Sequence, residues 1–174
     1  MTYTRDEIEA AFQKYWRMGA VDENWDAWCD ECLTDDVTYI EHVLGDKNGR
    51  EEVRAWIKPI MAEYGELYTA YEWHTVDADA GRVVVYMQNR RDNPEPGADP
   101  IDFPGITVVE YGGDGKFKTE EDFWSLPAGT ATLKQYARAC KEFDPDHKTR
   151  RTRENWGNGP DWTQGAKTYD ERLR

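Results

Sequence analysis

From Tyr68 onward the chain changes texture, and that change limits the possible fold more than any other feature. Four runs rich in β-branched and aromatic residues follow one another: Tyr68 to Val76, Arg82 to Arg91, Phe103 to Tyr111 and Lys116 to Trp124. Turn signals separate them, namely Asp79-Ala80-Gly81, a stretch from Asp92 to Asp102 with three prolines, and Gly112-Gly113-Asp114-Gly115. Short strand-like runs divided in this way read as an antiparallel meander. The proline-rich connection cannot continue either flanking strand, so it is expected on the surface or over a pocket mouth, where it could serve as a lid.

Helical periodicity dominates before that point. Thr4 and Glu7 form a capping box, followed by Ile8, Ala11, Phe12 and Tyr15 at helical spacing, with Gly19 near the end. Trp25, Trp28, Cys29, Cys32 and Leu33 make one apolar, unusually aromatic face on a second helix. Val37 to Val43 reads as a strand and Gly45 to Gly49 as a turn. A third helix starts at about Arg50 and buries Val53, Trp56, Ile57 and Ile60. Pro59 falls inside that pattern and predicts a kink or break, because it removes a backbone donor. A last helix, about Thr130 to Phe143, carries Leu133, Tyr136, Ala137 and Cys140 on one stripe, and the remainder is polar and punctuated by Gly, Pro and Trp. The division expected is an α+β domain over residues 1–143 and a polar extension over 144–174.

The chain's 174 residues suit one domain with an appendage. A formal charge of -13 sets the surface against polyanions, so neither nucleic acid nor a membrane is expected as a partner. The basic cluster Lys148, Arg150, Arg151 and Arg153 reads as solvated surface, or as a hold on an acidic neighbour or on the chain's own acidic body. No window approaches the ~20 apolar residues of a membrane span, and Met1 to Glu7 lacks the charged and apolar succession of a leader, so a cytoplasmic location is expected. Three cysteines, two of them on one helical stripe, suit the core better than disulfides or zinc. There is no Gly-rich phosphate loop, His-Glu-x-x-His or Gly-x-Ser-x-Gly. The chemistry expected is therefore acid/base catalysis with no cofactor and no metal.

Tyr15-Trp16, the aromatic second helix, Asp36-Val37-Thr38-Tyr39-Ile40-Glu41-His42 with Gly45 and Gly49, and Glu110-Tyr111 before the glycine turn closing on Asp122-Phe123-Trp124 resemble the nuclear transport factor 2-like superfamily and its SnoaL-like branch. The likeness covers roughly residues 5 to 126. It implies a cone: a strongly curved antiparallel sheet, a cystatin-like α+β roll, wrapped around N-terminal helices to leave a deep pocket, with a C-terminal helix and tail added. Relatives of this fold include ketosteroid isomerases, limonene epoxide hydrolases, polyketide cyclases and non-catalytic binding subunits, so the pocket residues must decide the activity.

The resemblance also supplies site candidates. His42 occupies a position similar to that of the ketosteroid isomerase base, Asp122 to that of an epoxide hydrolase acid on the last strand, and Tyr15 to that of the tyrosine that donates to an enolate oxygen. Asp122 could equally be one more solvated charge in Glu120-Glu121-Asp122; Glu120 shares its side of the strand, whereas Glu121 does not. On the strand from Val83 to Arg91, Tyr86, Gln88 and Arg90 share one face, and Met87, Asn89 and Arg91 the other. Periodicity does not choose between them. The epoxide hydrolases, with an Arg and an Asp two apart on this strand, favour the first face, so that Arg90 would face Asp122. Gln88 and Arg90 stand in those places here, and Thr107 stands where ketosteroid isomerases have a protonated Asp, so neither activity is inherited intact. Trp56, Trp73, Tyr86 and Trp124 are candidate walls, with Gln88, Asn89 and Ile40 as further substrate contacts. His74 and His147 read as structural.

The expectation is a lyase, isomerase or cyclase acting on a hydrophobic, aromatic or polycyclic molecule. His42 removes a proton, Asp122 with Arg90 positions or reprotonates, and Tyr15 meets developing oxygen charge. The alternative is a non-catalytic small-molecule-binding or subunit-association module. A homodimer through the convex sheet face is the expected assembly.

Overall fold

The computed structural model describes residues 3–169. Helix α1 (Arg5–Trp16) is capped by the Thr4 side chain, which accepts from the Glu7 amide, and buries Ile8, Ala11, Phe12, Tyr15 and Trp16. It relaxes into a π-helical segment, Arg17–Val21, before α2 (Trp25–Cys32). Gly19 is needed in that segment because a Cβ there would meet the Trp28 indole at 2.7 Å. Strand β1 (Leu33–Glu41) follows at once, so Leu33 opens a strand rather than ending a helix.

After the short β2 (Lys47–Asn48), α3 (Arg50–Glu63) runs without interruption through Pro59, contrary to the expected break. Pro59 is exposed, so the carbonyl it leaves unpaired can turn to solvent. The meander is then β3 (Tyr68–Asp77), β4 (Arg82–Arg91), β5 (Ile101–Gly113) and β6 (Lys116–Trp124). Helix α4 (Leu126–Phe143) begins four residues earlier than the periodicity suggested, capped by Ser125, with a proline in its first turn.

The protein is thus α+β, with one six-stranded sheet in the order β2-β1-β6-β5-β4-β3. All neighbours are antiparallel except β1 and β6, which run parallel. Irregularities in β3, in β5 opposite β6, and between Leu33 and Thr38 of β1 bend the sheet around the helices. The core lies on the inner face, where Phe12, Tyr15, Val83, Val85, Val109 and Phe117 are buried. Cys29 and Cys32 belong to it as free thiols; burial pushes them up to about 11 and about 12.

The C-terminal segment folds back on the body. Arg153 is fully buried, its guanidinium donating to Glu23 at 2.5 Å and to the Gly65 carbonyl at 2.6 and 3.0 Å. Trp156 packs on Tyr68, and Trp162 on Phe12, Tyr71 and His74. The basic cluster therefore grips the chain's own acidic body. His74 and His147 both have partners: Tyr71 and Glu9 for the first, the Tyr136 hydroxyl for the second. No helix among the described residues is long and apolar enough to cross a membrane.

Candidate active site

Inside the sheet lies a cavity of about 620 Å³, walled by the helices on one side and by β1, β6, β5 and β4 on the other. Alternation decides what enters it. On β1 and β6 the inward residues are Tyr39, Glu41, Glu120, Asp122 and Trp124, and Tyr39 sits opposite Glu120 as Glu41 does opposite Asp122. Three carboxyls therefore share one wall. Glu41 and Glu120 are each only 4% exposed, which demands partners or neutralisation.

Each carboxyl meets that demand differently. Asp122 accepts from the Tyr39 hydroxyl at 2.5 Å and, on its other oxygen, from the Thr107 hydroxyl. Burial pushes it up to about 6, although both hydroxyls pull the other way. Glu120 is driven well above the usual carboxylate range, first by burial and then by the charge of Asp122, while the hydroxyls of Tyr15 and Tyr39 favour its anion. Its Oε2 has no partner. Glu41 accepts from the Trp124 indole at 3.0 Å and from the Val43 amide at 2.9 Å. The tyrosines are held as neutral donors, because burial raises both; the charge of Glu120 adds to this for Tyr15, and that of Asp122 for Tyr39. The result is a titratable carboxyl gripped by two hydroxyls, beside a second acid held well above the usual carboxylate range.

Of the expected residues, the structure brings Tyr15, Asp122, Trp56, Trp124 and Asn89 to the cavity. It does not bring His42, Arg90, Tyr86, Gln88 or Ile40 there. His42 follows the inward Glu41 and so points out, its side chain 51% exposed, hydrogen bonded to Glu121 at 2.9 Å and beside Phe123. Ile40 alternates with Tyr39 and Glu41 and shares the outer side. On β4 the lining face is Val85, Met87, Asn89 and Arg91, the opposite of the one the epoxide hydrolase likeness favoured. Arg90 is turned outward onto Asp102 at 2.8 Å and the Asn155 carbonyl, and Gln88 donates to the Tyr86 hydroxyl. Trp73 is stacked on Tyr86, 49% exposed. The proline-rich loop also stays away from the cavity; Leu126, Gly129, Thr130 and Leu133 of α4 line it instead.

The sequence-based set lacks Glu41, Tyr39 and Arg91. Strand alternation counted back from Asp122 does reach Glu120, but nothing local says that Tyr39 and Glu41 stand opposite that pair. Among the described residues no group of His, Cys, Asp and Glu is arranged to hold a metal ion.

A sequence profile of the SnoaL-like domain matches residues 9–119. A search of curated proteins gives no significant match. Among solved structures, the chain is similar to an M. tuberculosis LEH-like epoxide hydrolase at 16% identity and TM-score 0.60, over 78% of this chain and 96% of that one. A putative SnoaL-like polyketide cyclase from Jannaschia Sp. CCS1 has 19% identity and TM-score 0.59, with 76% and 96% covered. A hypothetical protein of ketosteroid isomerase-like fold from Catenulispora acidiphila, solved with trimethylamine, has 21% identity and TM-score 0.56, with 74% and 93% covered. At these identities the likeness establishes the fold.

Proposed function

The chain belongs to the SnoaL-like domain family, and from that premise we propose that it is a cofactor-independent acid/base enzyme of the lyase, isomerase or cyclase type, acting on a hydrophobic, aromatic or polycyclic small molecule in the cavity. The observation that carries this reading is Asp122: a carboxyl shifted to about 6, with each oxygen steadied by a hydroxyl, at the wall of an aromatic-lined cavity.

Asp122 is ionised near neutrality and takes the substrate proton. Thr107 and Tyr39 fix its lone pairs and limit the cost of its charge. Burial, and then the charge of Asp122, favour the protonated form of Glu120, which limits negative charge on the wall as Asp122 cycles. Glu41 is oriented by Trp124 and Val43, and the walls of Trp25, Trp28, Trp56 and Phe103 favour flat apolar rings. Neighbours in fold include a putative polyketide cyclase and an epoxide hydrolase, which is in keeping with a substrate-converting pocket.

The test is deuterium uptake at the acidic C–H of aryl ketones such as 2-tetralone, followed by NMR in D₂O. The wild type should accelerate exchange and Asp122→Asn should lose most of that acceleration, about 10²-fold or more. Ketones that bind but exchange no faster than in buffer, with either protein, would favour the non-catalytic binding module. We also propose that two copies meet through the outer sheet face, where Trp73, Ile106 and Phe123 are exposed. Sedimentation of wild type and Phe123→Asp tests this: a monomeric wild type would exclude it.

A further inference from the structure

We propose that Arg91 is an anchor for an anionic oxygen on the ligand, and hence that the cavity takes oxygenated arenes carrying a carboxylate or an equivalent anionic group. This rests on the cavity being a substrate site, and adds the substrate class. Arg91 lines the cavity and is only 3% exposed. Of its five N–H donors, the one on Nε faces Glu66 at 3.5 Å, whereas the terminal nitrogens make no hydrogen bond among the described residues, and Nη1 is buried without a partner. A guanidinium so placed is costly unless something completes its bonding. Glu66 does not cancel the local charge, because Lys148 approaches it as well, at 3.9 Å, leaving two cations around one carboxylate. The Tyr136 ring, 5.6 Å from the guanidinium carbon, holds the fork in place.

The rest of the cavity fixes which way a ligand lies. Asp122 pairs with Thr107, which pairs with Val85, and Arg91 lies further along the same strand. From Val85 to Arg91 is about 20 Å of strand at ~3.3 Å per residue. An anionic group on Arg91 is therefore held at the end of the strand away from Asp122, whereas at the acidic end it would meet three carboxyls at close range. Between the two ends Asn89 lies over Gly105, where a Cβ would meet its Nδ2 at 2.9 Å, so the missing side chain makes room for a second polar group on the same wall. Trp16, Trp25 and Trp28 add aromatic wall between the two ends. The cavity thus has an apolar body with a spare cationic donor at one end, and an aromatic with one anionic end fits it.

The test compares anthracene-2-carboxylate with 2-(hydroxymethyl)anthracene, read by tryptophan-to-anthracene energy transfer at pH 8 and low salt. The wild type should bind the carboxylate about tenfold or more tighter than the carbinol. Arg91→Gln should bring the two within about twofold of each other while the carbinol's affinity holds. Because Arg91→Gln leaves buried Glu66 with only the more distant Lys148, the double variant Arg91→Gln with Glu66→Gln serves as the folded control and should show the same loss. Asp122→Asn should keep the preference. Equal affinities in the wild type, failure to bind either probe, or a preference that survives in both Arg91 variants would overturn the assignment. Since no turnover is read, that failure is separable from the failure of Asp122 as base, which the exchange assay reports.

Discussion

Two regions of this protein bury charge, and they resolve the cost in opposite ways. Behind the helices, Arg153 and Glu23 are withdrawn from solvent together, the guanidinium also donating from Nε and Nη2 to the Gly65 carbonyl. Across the sheet, Glu41, Glu120 and Asp122 share a wall and meet only neutral donors, with no arginine or lysine hydrogen bonded to any of them among the described residues. The charge pair locks the C-terminal segment to the body. Asp122 and Glu120 instead titrate above the ordinary carboxylate range, and Asp122, at about 6, lies where a group can both take and return a proton. The first arrangement suits structure, and the second is worth its instability only where the protonation change is used.

The comparison breaks most visibly at Arg153. Arg153→Ala leaves Glu23 uncompensated and should destabilise the fold by about 3–5 kcal/mol in urea titration, since half of a buried pair costs more than the pair is worth. A loss below about 1 kcal/mol would mean that the segment is held chiefly by its other contacts, those of Trp156, Trp162 and Asn155 among them.

The carboxyl wall should behave in the reverse sense. Asp122 is raised from 3.8 to about 6 and Glu120 is raised as well, so their protonated forms favour the fold. That contribution is complete below the unfolded values and is lost as pH rises through the folded ones, Asp122's share between about pH 4 and 6. For Asp122 it amounts to about 3 kcal/mol at most. Asp122→Asn and Glu120→Gln should therefore raise Tm relative to wild type at pH 8 and gain little at pH 4. Melting curves that move in parallel at both pH values would show that neither carboxyl is shifted.

A smaller effect sharpens the role of Tyr39. Its donated bond holds Asp122 down against the pull of burial, so Tyr39→Phe should raise the inflection of the exchange-rate profile from near pH 6 by about one unit. An unmoved inflection would assign the titration to another group.

The meander was legible because its evidence is local: period-two runs with glycine and proline between them give the four strands almost to the residue. So was the cone, through the residues shared with its family. What escaped depends on long-range placement. The parallel pairing of β1 with β6, which puts Glu41 opposite Asp122, joins segments some eighty positions apart, and no local pattern announces it. On β4 both faces carry polar residues, so alternation alone could not choose. An inward Arg91 is unfavourable until Glu66 is seen to face it. Helix α4 started early although Ser125 before a proline was a usable signal.

The parity of β1 has the smallest expected effect and the clearest lesson. Inward parity on β1 is constant from Leu33 through Val37 and Tyr39 to Glu41, and a place just before the glycine turn does not by itself tell which of two neighbours, Glu41 or His42, faces in. If that is why a catalytic histidine was expected at this strand end, His42→Ala should leave ketone exchange within about twofold of wild type. It should also change stability by no more than about 0.5 kcal/mol, the scale of an exposed pair with Glu121. Glu41→Gln, one residue earlier, removes a carboxylate facing the substrate and should change exchange by more than the histidine does. The reverse order would place the working strand face outside the cone, and with it would fall the assignment of the carboxyl wall.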